Sequence, residues 1–342
     1  MIKRKHLLTC CLSVSIITGY AQPAHIRREA APAKEHYKSL WGLNNKPDPS
    51  FAWMDTIKYP PKEVATSTLA ATMLRTVYLI DDVPELLTIQ KQPANSSAQT
   101  RKELEILLEF QKKRTAENVN RYRRLAGIFH SPGNFNPLDP DYDRNFSSLF
   151  HIGSPLGNWY TYKNLPLTAK MMSNVYRDAM YYVFKLKVDL NRPRPYHLEP
   201  KLDALEKPLH QSYPSGHSSA SFVNAYIMME IAPELTGEFL KMAEEMAISR
   251  EYLGCHYPSD SEMGRLWARK FVNELFKKDK FITDFEKAKK EILEYRKKQA
   301  GKEGNKTAAE HLKCARDSGN ENNNCCGSSC SSSCTSSCCT KN

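Results

Sequence analysis

Between Leu167 and Val188 the chain reads LTAKMMSNVYRDAMYYVFKLKV, a run without glycine or proline whose apolar residues fall at helical spacing. Similar patterns recur. SSASFVNAYIMMEIA follows Gly216, LTGEFLKMAEEMAISREYL begins at Leu235, and EMGRLWARKFVNELFKKDKFITDFEKAKKEILEYRKKQ closes the body as two helices. Earlier, RKELEILLEFQKKRTAENVNRYRRLAGIF starts at Arg101 and spaces Leu104, Leu107, Leu108 and Phe110 in the same way between charged residues. No segment alternates apolar and polar residues as a half-buried strand must. The expected fold class is therefore all-α, a compact helical bundle over residues 80–300. Residues 130–165 crowd Gly, Pro, Asn and Asp among aromatics and read as one long loop, of the kind that forms a substrate mouth.

The flanks differ from this body. MIKRKHLLTCCLSVSIITGYAQ joins a basic start to an apolar run too short to span a bilayer, with Gly19 and Ala21 as small residues at a cleavage site. Residues 1–21 read as a signal peptide, which predicts a periplasmic or secreted protein. No later segment has 18 clean apolar residues, so no transmembrane anchor is expected. Removal of the signal lowers the net charge from +11 to +8. Such a charge suits either a soluble basic surface or attraction to anions such as phosphate esters. Residues 22–79 are polar and punctuated by proline, an extension wrapped on the body or a partly ordered arm. Residues 301–342 form a low-complexity tail of Ser, Cys and Asn, expected to be disordered when reduced. Seven of the ten cysteines lie from Cys314 onward, and two belong to the signal. Only Cys255 remains in the body, so no disulfide framework supports it.

Three motifs carry chemistry. In KVDLNRPRPY, Lys187 or Lys185 precedes an Arg-Pro pair by the same spacing, and proline holds Arg192 and Arg194 in an extended segment where both can point to one ligand. In SYPSGHSSASF, Ser215 and Gly216 open a helix whose free N–H groups, with the Ser215 hydroxyl, form an anion cradle, and His217 sits at its mouth. Ser215 as a plain N-cap with an incidental histidine is the competing reading. In SREYLGCHYPSD, Arg250 offers a planar fork to an oxyanion, Pro258 suits the first position of a helix, and Asp260 can fix the tautomer of His256. Together they supply cations, a helix N-terminus and two histidines, an inventory suited to phosphoryl transfer without a metal.

In that order, Lys-x6-Arg-Pro, Pro-Ser-Gly-His and Ser-Arg-x5-His-x3-Asp resemble the signature of the type 2 phosphatidic acid phosphatase (PAP2) superfamily. That superfamily includes bacterial class A non-specific acid phosphatases, lipid phosphatases, glucose-6-phosphatase and vanadium haloperoxidases. SYPSGHSS, FSSLFHIGSPLG and EFQKKRTAEN look most like the class A acid phosphatases, and the resemblance covers about residues 80–295. The family pattern K-x4-R-x-R-P-[FY] selects Lys187 over Lys185. The resemblance implies that Lys187, Arg194 and Arg250 bind phosphate oxygens, helped by Ser215 and Gly216. It implies His256 as a nucleophile forming a phosphohistidine, His217 as general acid and base, and Asp260 as the residue that orients His256. Cys255, Tyr257 and Pro258 depart from the family pattern, and Cys255 reads as a pocket-wall residue.

The expected function is an exported, metal-independent acid phosphatase acting on small-molecule phosphate monoesters, with no cofactor, no metal site and no nucleic-acid partner. A homo-oligomer is left open. The enzymic alternatives are a vanadium-dependent haloperoxidase, although the chain is short for one, and a soluble lipid or isoprenyl pyrophosphate phosphatase. A phosphate- or metal-binding surface protein that uses the Cys-rich tail is the non-enzymic alternative.

Overall fold

A computed structural model of the protein describes residues 28–71, 73, 75–129 and 137–317. Residues 1–21, which read as a signal peptide, and residues 318–342 of the Ser/Cys/Asn tail lie outside the described residues. The arm carries the short helices α1 (Glu35–Lys38) and α2 (Thr66–Ala71), and the short α3 (Pro84–Leu87) opens the body. Then come α4 (Ala98–Lys112), α5 (Ala116–Ala126), α6 (Tyr142–Leu149), the long α7 (Pro166–Leu190), the one-turn α8 (Pro195–Leu198) and α9 (Gly216–Ile231). The body closes with α10 (Thr236–Tyr252), α11 (Pro258–Leu275) and α12 (Asp279–Asp317). The described residues form helices and no strand.

Helix α9 is the centre of the bundle. From Ser218 to Met228 every residue is buried, so α9 has no solvent face and packs against α7, α10 and α11. Helix α12 covers the other flank of α7 and continues past residue 300 to Asp317, into the segment whose composition suggests a tail.

Two local expectations differ from the structure. The charged segment after Arg101 is two helices rather than one. Thr115 breaks it, because its side chain caps α5 by accepting the Asn118 N–H at 3.3 Å while Asn118 Oδ1 accepts the Thr115 N–H at 2.9 Å. The turn-rich stretch expected to be one loop contains α6, whose Phe146 and Leu149 turn inward and are buried. Its many turn residues mask an apolar spacing of three that is enough to seat one short helix.

The described part of the arm lies on the body. Three successive backbone N–H groups, of Val77, Tyr78 and Leu79, donate to the buried Asp178 carboxylate of α7 at 2.6, 2.8 and 3.0 Å. Tyr37 donates to Glu251 at 2.7 Å, and the Ala65 N–H donates to the Leu209 carbonyl at 3.0 Å. These bonds replace the water that polar groups of an arm would otherwise need.

Helices α9 and α11 approach tightly at Gly264. A Cβ there would lie 2.8 Å from Ser218 Cβ and 2.9 Å from the Ser219 nitrogen, which is backbone and cannot yield. Ser218 also donates its hydroxyl to the Ser261 carbonyl at 2.6 Å. Gly264→Ala is expected to force the two helices apart and destabilise the protein by about 1–3 kcal/mol. Urea unfolding measures this, and an unchanged midpoint would show that α9 and α11 are free to separate.

Candidate active site

Each motif becomes a helix end. Helix α7 stops where Asn191 takes a left-handed φ of 44° and Pro193 blocks continuation, which leaves Lys187 on the last turn. Arg194 is extended, with φ −73° and ψ 157°. Helix α9 starts at Gly216, and α11 starts at Pro258, two residues after His256. Gly254, at φ +78°, reverses the chain after α10 so that the Cys255 N–H returns to the Arg250 carbonyl at 3.1 Å. The C-terminus of α7, the N-termini of α9 and α11 and the end of α10 thereby meet around one cavity.

That cavity measures about 540 Å3 and is lined by Lys187, Gly216, His217, Arg250 and His256, with Glu206 and His210 from the preceding loop and Ala65 and Ser67 from the arm. Lys187, Arg194 and His256 are buried, and Arg250 is 2% exposed. His217 is half-buried.

The hydrogen bonds around His256 determine its tautomer. Arg194 Nη1 lies 2.9 Å from His256 Nε2, and a guanidinium can only donate, so Nε2 accepts. Nδ1 therefore carries the hydrogen and gives it to Asp260 Oδ2 at 2.9 Å. Burial, then the charge of Arg194, push the His256 imidazole well below its ordinary range, and the neighbouring Asp260 does not reverse this. His256 is thus a neutral imidazole whose Nε2 lone pair accepts from the buried Arg194.

Asp260 is the hub. Its Oδ1 accepts from Arg192 Nη1 at 2.7 Å, and its Oδ2 accepts from Ser212 Oγ, His256 Nδ1 and the Tyr257 N–H. Burial alone would raise the Asp260 carboxyl, but Arg192 and these hydrogen bonds hold it well below the usual carboxylate range. Arg192 in turn donates to Glu103 Oε2 at 3.0 Å and lies over the Tyr257 ring at 3.7 Å. The expectation that Arg192 and Arg194 point to one ligand is therefore corrected. Alternate residues of an extended strand point to the same side in a flat chain, but here Arg192 turns to the buried carboxylates while Arg194 turns to His256, the Cys255 carbonyl and His210.

The remaining predicted residues are placed as follows. Lys187 Nζ donates to the Gln211 and Ser212 carbonyls at 3.0 and 2.9 Å. Burial, then Arg194, press its ammonium well below the ordinary lysine value. Ser215 Oγ accepts the Ser218 N–H at 3.3 Å, so it is the N-cap of α9, and Gly216 rather than Ser215 lines the cavity. His217 Nε2 lies 3.0 Å from the Ala126 carbonyl of α5. Cys255 is buried against Ala126 and Leu253, its thiol on the Arg250 carbonyl, and it does not line the cavity. Among the described residues no cluster of three His, Cys, Asp or Glu could hold a metal ion, and no helix is long and apolar enough to cross a membrane.

Residues 168–279, which contain all of these motifs, match the PAP2 superfamily. The chain carries a PAP2 superfamily domain. It is 31% identical over 160 residues to a non-specific acid phosphatase of Providencia stuartii, across 44% of this chain and 61% of that one. It is 28% identical over 133 residues to an acid phosphatase of Zymomonas mobilis, across 37% and 50%. The chain thus matches between half and three fifths of these relatives' length. A solved structure of a bacterial vanadium-dependent iodoperoxidase superposes with a TM-score of 0.43 and 19% identity, over 58% of this chain and 54% of that one.

Several residues around the cavity escape a reading of the sequence. Arg192 and its partner Asp260 stand inside motifs, but its other carboxylate partner, Glu103, is one of many acids in a charged helix. Ser212 opens SYPSGH without standing out in it, and His210 and Glu206 lie on the preceding loop, which has no helical periodicity.

Two outcomes follow from the buried network. Arg192→Met leaves Asp260 and Glu103 without their shared counter-charge, so a loss of about 3–5 kcal/mol is expected in denaturant titration. A loss below about 1 kcal/mol would mean that the carboxylates find other partners. The second concerns acid. Because the folded pKa of His256 is depressed, the unfolded chain binds the proton first, so its contribution is complete above the ordinary histidine value of about 6.5 and declines as pH falls below it. His256→Asn should flatten that part of the stability–pH curve, and an unchanged slope would place the sensitivity elsewhere.

Proposed function

We infer that the protein is an exported acid phosphatase that hydrolyses phosphate monoesters of broad structure, without a metal, through a phosphohistidine. One observation carries this reading: the buried Lys187 and Arg250 line one cavity with a neutral His256 and the N-terminus of α9, and the buried Arg194 donates to His256 Nε2. Lys187 and Arg194 meet only carbonyls and imidazoles, and burying cations without a matching anion is costly, so a phosphoryl group supplies the missing charge. The likeness to acid phosphatases supports the same chemistry. Export rests on residues 1–21 of the sequence.

The steps follow from the hydrogen bonds. A phosphoryl group entering the cavity takes the N–H groups of Lys187, Arg194 and Arg250 and those at the start of α9. Arg194 then gives its Nη1–H to a phosphate oxygen instead of His256 Nε2, which releases the lone pair. Nε2 attacks phosphorus, the P–N bond forms, and the ester P–O bond breaks. Asp260 stabilises the cationic ring through Nδ1–H. His217 protonates the leaving oxygen. Since the Ala126 carbonyl can only accept, His217 Nε2 keeps its hydrogen and Nδ1 is the atom that exchanges the proton. Water then attacks phosphorus with His217 Nδ1 as base, and His256 leaves as the neutral imidazole.

The depressed pKa of His256 keeps the nucleophile unprotonated in acid, so hydrolysis of p-nitrophenyl phosphate should persist below the ordinary histidine range. His256→Ala should abolish turnover, and His217→Asn should lower kcat roughly 10²–10⁴-fold. Activity that EDTA removes and zinc restores would overturn the metal-free reading. Failure to trap phosphate on His256 during turnover would overturn the covalent one.

A further inference from the structure

Glu206 is the one carboxylate among the described residues that line the cavity, and it holds Arg250. Its Oε2 lies 2.6 Å from Arg250 Nη2. Arg250 is 2% exposed, and its Nε and Nη1 are buried without a hydrogen-bond partner. A buried guanidinium with two unsatisfied nitrogens is an unfinished anion site. A phosphoryl group gripped by both terminal nitrogens of Arg250 must share or take over the one on Glu206.

The two anions then compete, since Asp260 is already balanced by Arg192 and does not neutralise the cavity. Glu206 has a way out. Its side chain is 26% exposed. The backbone on either side is pinned, by the Leu205 N–H on the Leu253 carbonyl at 2.9 Å and by the Tyr59 hydroxyl on the Pro208 carbonyl at 3.0 Å. The Ala65 N–H holds the Leu209 carbonyl at 3.0 Å. The loop stays in place, and the carboxylate leaves by rotation about its own side-chain torsions.

We propose that Glu206 is a competing anion built into the site. Its carboxylate neutralises Arg250 while the cavity is empty, yields to the phosphoryl group of a substrate, and returns to expel inorganic phosphate. It therefore sets how tightly product is retained. Cations gathered to hold a phosphoryl group also hold phosphate itself, and a resident carboxylate weakens that hold without removing any cation. The inference rests on the phosphatase reading.

The test uses the full chain and its Glu206→Gln and Glu206→Ala variants at neutral pH. Calorimetry measures the binding of inorganic phosphate, and its inhibition of p-nitrophenyl phosphate hydrolysis gives a second readout. Phosphate should bind about five- to tenfold more tightly once the carboxylate is gone, a size expected for a close but partly solvated pair of like charges. Tighter binding in either folded variant supports the proposal. Unchanged or weaker binding in both overturns it, since Glu206 would then only position Arg250. If the wild-type chain neither binds phosphate nor hydrolyses the ester, the phosphatase reading falls and this inference with it. If it does both and the variants bind no tighter, this inference alone falls.

Discussion

The carboxylate of Asp260 is the charge around which the site is assembled. It is buried, yet it stays ionised because Arg192, Ser212, His256 and the Tyr257 N–H all donate to it. Its own backbone carbonyl accepts the Ser215 N–H at 3.0 Å, which ties the start of α11 to the start of α9. One residue thus orders the imidazole, fixes its tautomer and joins two helix ends. A buried ion pair contributes little net stability, but breaking one partner out of it is expensive. That asymmetry gives the interior a strong preference for a single arrangement of the arginines and the histidine.

Helical periodicity and motif spacing are the two features that the sequence makes legible. The all-α class follows from the spacing of α7, α9, α10 and α11. Lys187, Gly216, His217, Arg250 and His256 stand out by their motifs and meet at one cavity. Ser215 and Cys255 stand out too, but one is a helix cap and the other packs behind the site, because spacing does not distinguish a side chain that faces a cavity from one that faces its own helix. The pairings of Arg192 with Glu103 and of Arg250 with Glu206 are not legible. Glu103 and Arg192 are far apart in sequence, as are Glu206 and Arg250, and no local pattern encodes a pairing created by the packing of separate helices. Helix α6 is hidden for another reason: its few apolar residues sit among turn formers whose local preferences are overridden by burial.

The arm shows how a polar, proline-rich segment finds a place in the structure. It buries a scattered set of apolar side chains, among them Tyr37, Leu40, Met54 and Leu79, while its backbone groups find acceptors such as Asp178 and side chains such as Tyr59 donate to the body. In doing so it supplies Ala65 and Ser67 to the cavity wall. A segment outside the PAP2 match therefore shapes the entrance to a site whose chemical groups all lie within it.

Gly264 lies one turn beyond Asp260, at the point where α11 touches α9 without a gap. The helix ends that carry His217 and His256 are hence the two tips of a pair of tweezers with a welded hinge. Thermal motion can slide a loop or rotate a carboxylate beside them, but it cannot change the span between the tips without dislocating the central helix. Heating such a molecule would leave the separation of the two imidazoles constant until the bundle itself gives way, so loss of geometry and loss of fold would coincide in one event.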